Sequence, residues 1–102
     1  MSIGTTSPFR PTATVSLNAG TTSASIQLDG GGESVVVTNP TASLAYIRFG
    51  GDPSVTASST DMPVLPVSRV VLSVNTLITY GAAMLASGSG SILFTRGDGS
   101  VL

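Results

Sequence analysis

Apolar and polar residues alternate with a period of two through most of this chain. Ala13, Val15 and Leu17 alternate with Thr12, Thr14 and Ser16, the pattern of a strand with one face on a core and one toward water. Ala24, Ile26 and Leu28 repeat it against Ser23, Ser25 and Gln27, and Asn18-Ala19-Gly20 supplies a turn, so the two segments read as a hairpin. Asp29-Gly30-Gly31-Gly32 is the strongest turn signal, because glycine reaches positive φ without steric penalty. Val35-Val36-Val37-Thr38 is a β-branched run ended by Asn39-Pro40-Thr41. Ser43 to Phe49 follows, with Ala45, Ile47 and Phe49 on one face and Leu44, Tyr46 and Arg48 on the other. Apolar residues on both faces predict a strand partly covered from two sides.

Gly50-Gly51-Asp52-Pro53 stops that strand, and residues 52–66 form the longest irregular stretch, punctuated by Pro53, Pro63 and Pro66. Met62, Val64 and Leu65 are expected to tuck it against the domain. Ser68 to Val74 is the next strand, with Val70, Leu72 and Val74 inward. Ile78 to Leu85 reads as a strand with a bulge at Gly81. A short helix over Tyr80 to Ala86 is the competing reading, weakened by Gly81 and Gly88. Gly88-Ser89-Gly90 turns the chain into Ile92 to Thr95, and Gly97-Asp98-Gly99 closes the fold.

Strands recurring every 8–12 residues with turns between them predict an all-β fold, a small antiparallel β-sandwich or jelly-roll-like barrel. Pro8 and Pro11 bias the segment around them toward extended backbone. The expected organisation is an extended N-terminal arm over residues 1–11 and a single β-sandwich domain over 12–102. The inward positions predict a core of Val15, Leu17, Ile26, Leu28, Val35, Val37, Ile47, Phe49, Val70, Leu72, Val74 and Phe94.

Composition narrows the chemistry. The chain has no lysine, histidine, cysteine or tryptophan, and only nine of 102 residues carry a charge. General acid–base and covalent catalysis draw on just the residues that are scarce here, so no catalytic, cofactor-binding or metal-ligating residue is expected. A net charge of −1 lacks the basic footprint of a nucleic-acid binder. No apolar run approaches membrane-spanning length, and residues 1–11 contain no apolar segment of a secretory signal. So little charge also protects a free monomer poorly from association, and self-association is the expectation.

Individual motifs carry little. Arg96-Gly97-Asp98 spells an adhesion tripeptide but sits where a strand has to end. Asp29 and Glu33 around three glycines supply too few oxygens for a hard cation. Asp52 and Asp61 bracket the long loop without other support for a carboxylate pair. Arg48 and Arg69 lie inside predicted strands, where they either pair with Asp52 or Asp61, within the chain or across a subunit contact, or face solvent. In the arm, Phe9 and Arg10 are held extended between two prolines and are candidates for contact with a partner.

The segments Glu33-Ser34-Val35-Val36-Val37-Thr38-Asn39 and Ala45-Tyr46-Ile47-Arg48-Phe49-Gly50, then Asp61-Met62-Pro63-Val64-Leu65-Pro66 and Ile92-Leu93-Phe94-Thr95-Arg96-Gly97-Asp98-Gly99, together resemble small head proteins of tailed bacteriophages. Within that class the resemblance is to head decoration, or cement, proteins. It implies a homotrimer seated on the major capsid protein at the head surface of the virion, stabilising the shell, and carries over no individual residue. The candidate partner-interface residues are Phe9 and Arg10 of the arm and the strand arginines Arg48 and Arg69. A tail- or fibre-associated subunit used for adhesion or receptor binding is the alternative. A carbohydrate-binding module would need an exposed aromatic platform, and the five aromatic side chains fall mostly on inward positions.

Overall fold

A computed structural model of the chain describes residues 10–74 and 77–98. Among these residues there are eight strands and no helix: β1 (Arg10–Ala19), β2 (Ala24–Gln27), β3 (Ser34–Asn39), β4 (Ala45–Gly50), β5 (Met62–Val64), β6 (Ser68–Ser73), β7 (Tyr80–Leu85) and β8 (Gly90–Asp98). β1 takes in Arg10 and Pro11, which the sequence assigned to the arm and which pair with Asp98 and Gly97. Phe9 and the rest of the expected arm lie outside the described residues.

Every pairing is antiparallel. One sheet has the order β1-β8-β3-β6 and the other β2-β7-β4-β5. Except for β4 to β5, each connection therefore carries the chain from one sheet to the other. This is the winding of an eight-stranded jelly roll, and the all-β sandwich expected from the alternation is what forms. The hairpin expected between residues 12–17 and 24–28 does not form, since β1 pairs with β8 and β2 with β7. Alternation dictates which side of a strand is buried, but it is silent about the neighbour on either edge.

The two inner faces enclose Leu17, Leu28, Val35, Val37, Ile47 and Phe94, all buried, with Val15, Ile26, Phe49, Val70, Leu72 and Val74 half-buried against them. Those are the twelve expected core residues. Ala19, Ala45, Val64, Ala83, Leu85 and Ile92 are buried with them, and Ala24 packs alongside. Phe94 and Phe49 meet edge to face, with ring centroids 6.0 Å apart. Gly81 sits beneath this pair in unbroken register with both β2 and β4, so it makes no bulge. It is small because a Cβ there would lie 3.2 Å from the Phe94 ring. Of the three residues expected to tuck the long loop inward only Val64 is buried; Met62 and Leu65 are exposed, since β5 pairs for three residues only.

Two polar side chains close the ends of this apolar layer. Both take inward positions, and both spend their hydrogen bonds on loops that cross between the sheets. At one end Asn39, fully buried, donates through Nδ2 to the carbonyls of Ser43 (2.8 Å), Val64 (3.1 Å) and Leu65 (3.2 Å). Its Oδ1 accepts from the Thr41 backbone and hydroxyl. At the other end Arg96, also buried, donates from Nε to the Gly32 carbonyl at 3.1 Å and from Nη1 to that of Ile78. Gly32 adopts φ 124°, and a Cβ there would stand 2.2 Å from the Gly97 carbonyl oxygen, so only glycine admits this approach of turn to strand.

The sandwich is covered unequally. Ser25, Arg48 and Gly50 point away from the core on the β2-β7-β4-β5 sheet, and each meets the 51–61 loop. Ser25 Oγ donates to the Pro53 carbonyl (2.9 Å), Arg48 reaches Asp61, and a Cβ on Gly50 would lie 2.9 Å from that of Val55. Ala82, between Ser25 and Arg48 on this outer side, is consequently fully buried. The expectation of a strand partly covered from two sides is met within the chain.

Replacing Phe94 by Ala should cost about 3–5 kcal/mol in urea unfolding, and the half-buried Phe49 less. Asn39→Ala should cost about 2–4 kcal/mol, because buried carbonyls and the Thr41 amide lose their partner together. A loss under ~1 kcal/mol would mean that water replaces Asn39 at no expense.

Candidate functional site

The outer face of the β1-β8-β3-β6 sheet differs from its counterpart. At one end of it Thr12, at the β1 bulge, hydrogen-bonds the Gly31 backbone, and Ser34 beside that end is buried. Register places Thr14, Thr95, Val36 and Val71 in one row across the four strands, and Ser16, Leu93, Thr38 and Arg69 in the next. Thr14 and Thr95 bind one another through their hydroxyls at 2.9 Å. Arg69 is the one charge in these rows. Four strands at about 4.8 Å and six residues at about 3.3 Å make a patch of roughly 19 by 20 Å.

This face runs into an apolar corner. Thr38, Asn39, Pro40, Val67, Ser68 and Arg69 line an open groove of about 340 Å³. Beyond it Leu65 and Val67 are 66% and 77% exposed. Val67 has φ 51°, a left-handed conformation that a β-branched residue adopts only under constraint. The constraint is visible in the contacts: Pro66 precedes it, its amide donates to the Thr41 carbonyl (3.1 Å), and Ser68 Oγ donates to the Leu65 carbonyl (2.6 Å). The turn spends conformational energy on holding an aliphatic side chain in water.

The four candidate interface residues separate. Arg69 is on the bare face. Arg48 is on the opposite, covered face, where its Nη1 lies 3.6 Å from the Asp61 carboxylate; the pairing anticipated for it is made within the chain, and at the surface it contributes little. Arg10 holds the first position of β1 and pairs with Asp98 through the backbone ladder. Phe9 is outside the described residues. Among the described side chains, Arg48 and Arg69 lie on opposite faces of the sandwich and are not brought together.

Other motifs resolve into local structure. Arg96 and Gly97 are buried inside β8, which continues to Asp98, so the adhesion tripeptide is a strand rather than a displayed loop. Asp52 accepts from the backbone and hydroxyl of Ser54, and Asp61 from the Ser58 amide at 2.7 Å. Each carboxylate thus caps its own turn. The apolar corner was missed in sequence because Leu65 and Val67 flank prolines in a stretch that reads as loop. The one available signal was Pro66, which forbids continuing β5 in regular pairing.

Comparison with protein-family models, with curated proteins and with solved structures returned no match.

Val67→Gly relieves the left-handed strain at the expense of chain entropy, and should leave stability unchanged or raise it by up to about 1 kcal/mol. A clear loss would show that the valine packs rather than projects. The Ser54 hydroxyl, and then its amide, hold the Asp52 carboxyl below its ordinary 3.8. Its contribution to stability is therefore present above that value and fades as pH falls through the lower folded one. Asp52→Asn should flatten this part of the acid limb in a pH series of melting curves.

Proposed function

We propose that this chain is a non-enzymatic structural subunit of a tailed-bacteriophage particle, a decoration protein that seats on the major capsid protein at the outer surface of the head and stabilises the shell. The observation that carries this reading is the unequal covering of the sandwich. One sheet is roofed by the chain's own loop. The outer face of the other is nearly neutral, with Thr14 and Arg69 exposed, Thr38, Val71, Leu93 and Thr95 half-buried and Val36 buried between its neighbours, and it ends in exposed aliphatic side chains. A face of this kind binds through buried area and shape, with little electrostatic steering and little dependence on salt. The sequence resemblance to head decoration proteins supplies the partner.

Magnitude sets a condition on docking. A standard interface buries about 800 Å² per partner, and the bare face covers roughly half of that in projection. One face therefore supports a weak contact, made adequate by the adjoining corner or by more than one copy acting together.

Undecorated heads of the parent phage, mixed with the purified protein and sedimented, should carry it to saturation and resist heat disruption better. The double substitution Thr38→Glu, Arg69→Glu on the bare face should lower binding at least tenfold, whereas Thr60→Glu on the covering loop should not. Binding to tails in place of heads would transfer the chain to the tail-associated class, and binding to neither would overturn the reading.

A further inference from the structure

The sandwich has four edge strands, and three of them are protected. β5 is three residues long and contains Pro63. β2 is four residues long and is tied to the 51–61 loop through Ser25 to Pro53 and, just before it, Ser23 to Ala57. β1 is broken by a bulge next to Pro11. Short length, proline, bulges and loop cover are how natural sheets prevent unwanted pairing. Among the described residues β6 has none of them. Ser68-Arg69-Val70-Val71-Leu72-Ser73 is a regular six-residue strand, paired with β3 on one side only.

We infer that β6 is an association edge, and that it pairs antiparallel with β6 of a second copy of this chain about a twofold axis at Val71. Three observations on β6 and its flanks carry this. The first is register. Side chains on the two copies keep to the same faces only if residues of like parity oppose each other. An axis at Arg69 would set two guanidiniums side by side. The Val74 amide bonds the Glu33 carbonyl at 2.8 Å, so the backbone groups of Ser68, Val70, Leu72 and Val74 face β3 and those of Arg69, Val71 and Ser73 face the open edge. The axis at Val71 opposes Arg69 to Ser73 and Val70 to Leu72, and it brings all three outward residues into one ladder.

The second is the core. Val70, Leu72 and Val74 point inward yet remain half-buried at this edge, and the same three residues of the second copy would cover them. The third is the distribution of exposed aliphatic residues. Leu65 and Val67 lie just before β6 and Leu77 lies just after it, at 66%, 77% and 79% exposure. Antiparallel pairing brings the leading flank of one copy to the trailing flank of the other, so each group meets the complementary one.

The product is one continuous eight-stranded sheet with twice the bare face, close to the area that a standard interface needs per partner. The inference does not depend on the particle to which that face docks, and it replaces the homotrimer that the resemblance to decoration proteins implies.

The chain contains no cysteine, which makes a direct test simple. Sedimentation equilibrium of the purified protein at micromolar concentration should give twice the 10.2 kDa of the chain. Val71→Cys, oxidised, should form a covalent dimer, since residues directly opposed across antiparallel strands lie about 4.5–5.5 Å apart at Cα, within disulfide reach. Arg69→Cys should not, because four positions would separate it from its counterpart. Val71→Lys, with circular dichroism confirming the β fold, should be monomeric through like-charge opposition at the axis. A monomer or trimer for the unaltered protein, or equal cross-linking at positions 69 and 71, would overturn the inference. All of these readings are made without particles, so failure to bind heads leaves them intact and failure to dimerise leaves head binding as a separate result.

Discussion

An apolar layer between two sheets is open at both ends, and the chain has to cross those ends six times among the described residues to wind this fold. Each crossing brings backbone carbonyls to the rim of a dry core, where a polar group without a partner costs roughly 1–3 kcal/mol. Asn39 resolves this at one end and Arg96 at the other. The Asn39 carboxamide gathers the β3–β4 turn, the end of β5 and the start of the β5–β6 turn onto one buried side chain. The Arg96 guanidinium ties the glycine turn before β3 to the approach to β7. Packing of the valines and phenylalanines holds the sheets together, but it can do so only while these two groups keep the crossings in place.

Charge is used sparingly and inwardly. In a chain with four arginines, Arg96 is buried as a structural fastener and Arg48 lies against the loop that roofs the second sheet. Asp52 and Asp61 organise turns in that same loop. What remains on the open sheet is almost free of charge, so its specificity has to come from side-chain shape and hydroxyl positions. The strained turn at Val67 fits this economy, because it places an aliphatic group where regular backbone would not.

Period-two alternation made the class of fold, the positions of every described strand but β5 and the twelve core residues legible, because burial on one face is a local property of each strand; β5 fell in the stretch read as irregular. Partner choice is not local, and the hairpin read between residues 12–17 and 24–28 is where that distinction failed. Glycine was ambiguous for a related reason. At position 32 it permits a backbone approach, while at position 81, where a bulge was expected, it makes room for Phe94. The burial of Arg96 was hidden because its inward parity within the last strand was masked by the adjacent Gly97-Asp98, which looked like a turn. Of Arg48 and Arg69, Arg69 is the one on the open sheet. The groove beside it depends on a turn conformation that Pro66 hints at and only coordinates reveal.

The pairing of β1 with β8 sets the order of events in folding. Arg10 stands opposite Asp98 and Ala19 opposite Gly90, so the longest ladder of the fold joins the two ends of the described chain. That ladder closes a very long loop, and topologies dominated by distant contacts reach their native pairing slowly. During synthesis β1 waits, unpaired, until nearly all of the domain has emerged. Its serines and threonines, the proline at its start and its irregular register suit a strand that has to stay soluble and unattached in the meantime. The β6 edge meets its own neighbour β3 much sooner. The two margins of one sheet thus mature on different schedules, the fast one ready to meet another molecule and the slow one completing the domain.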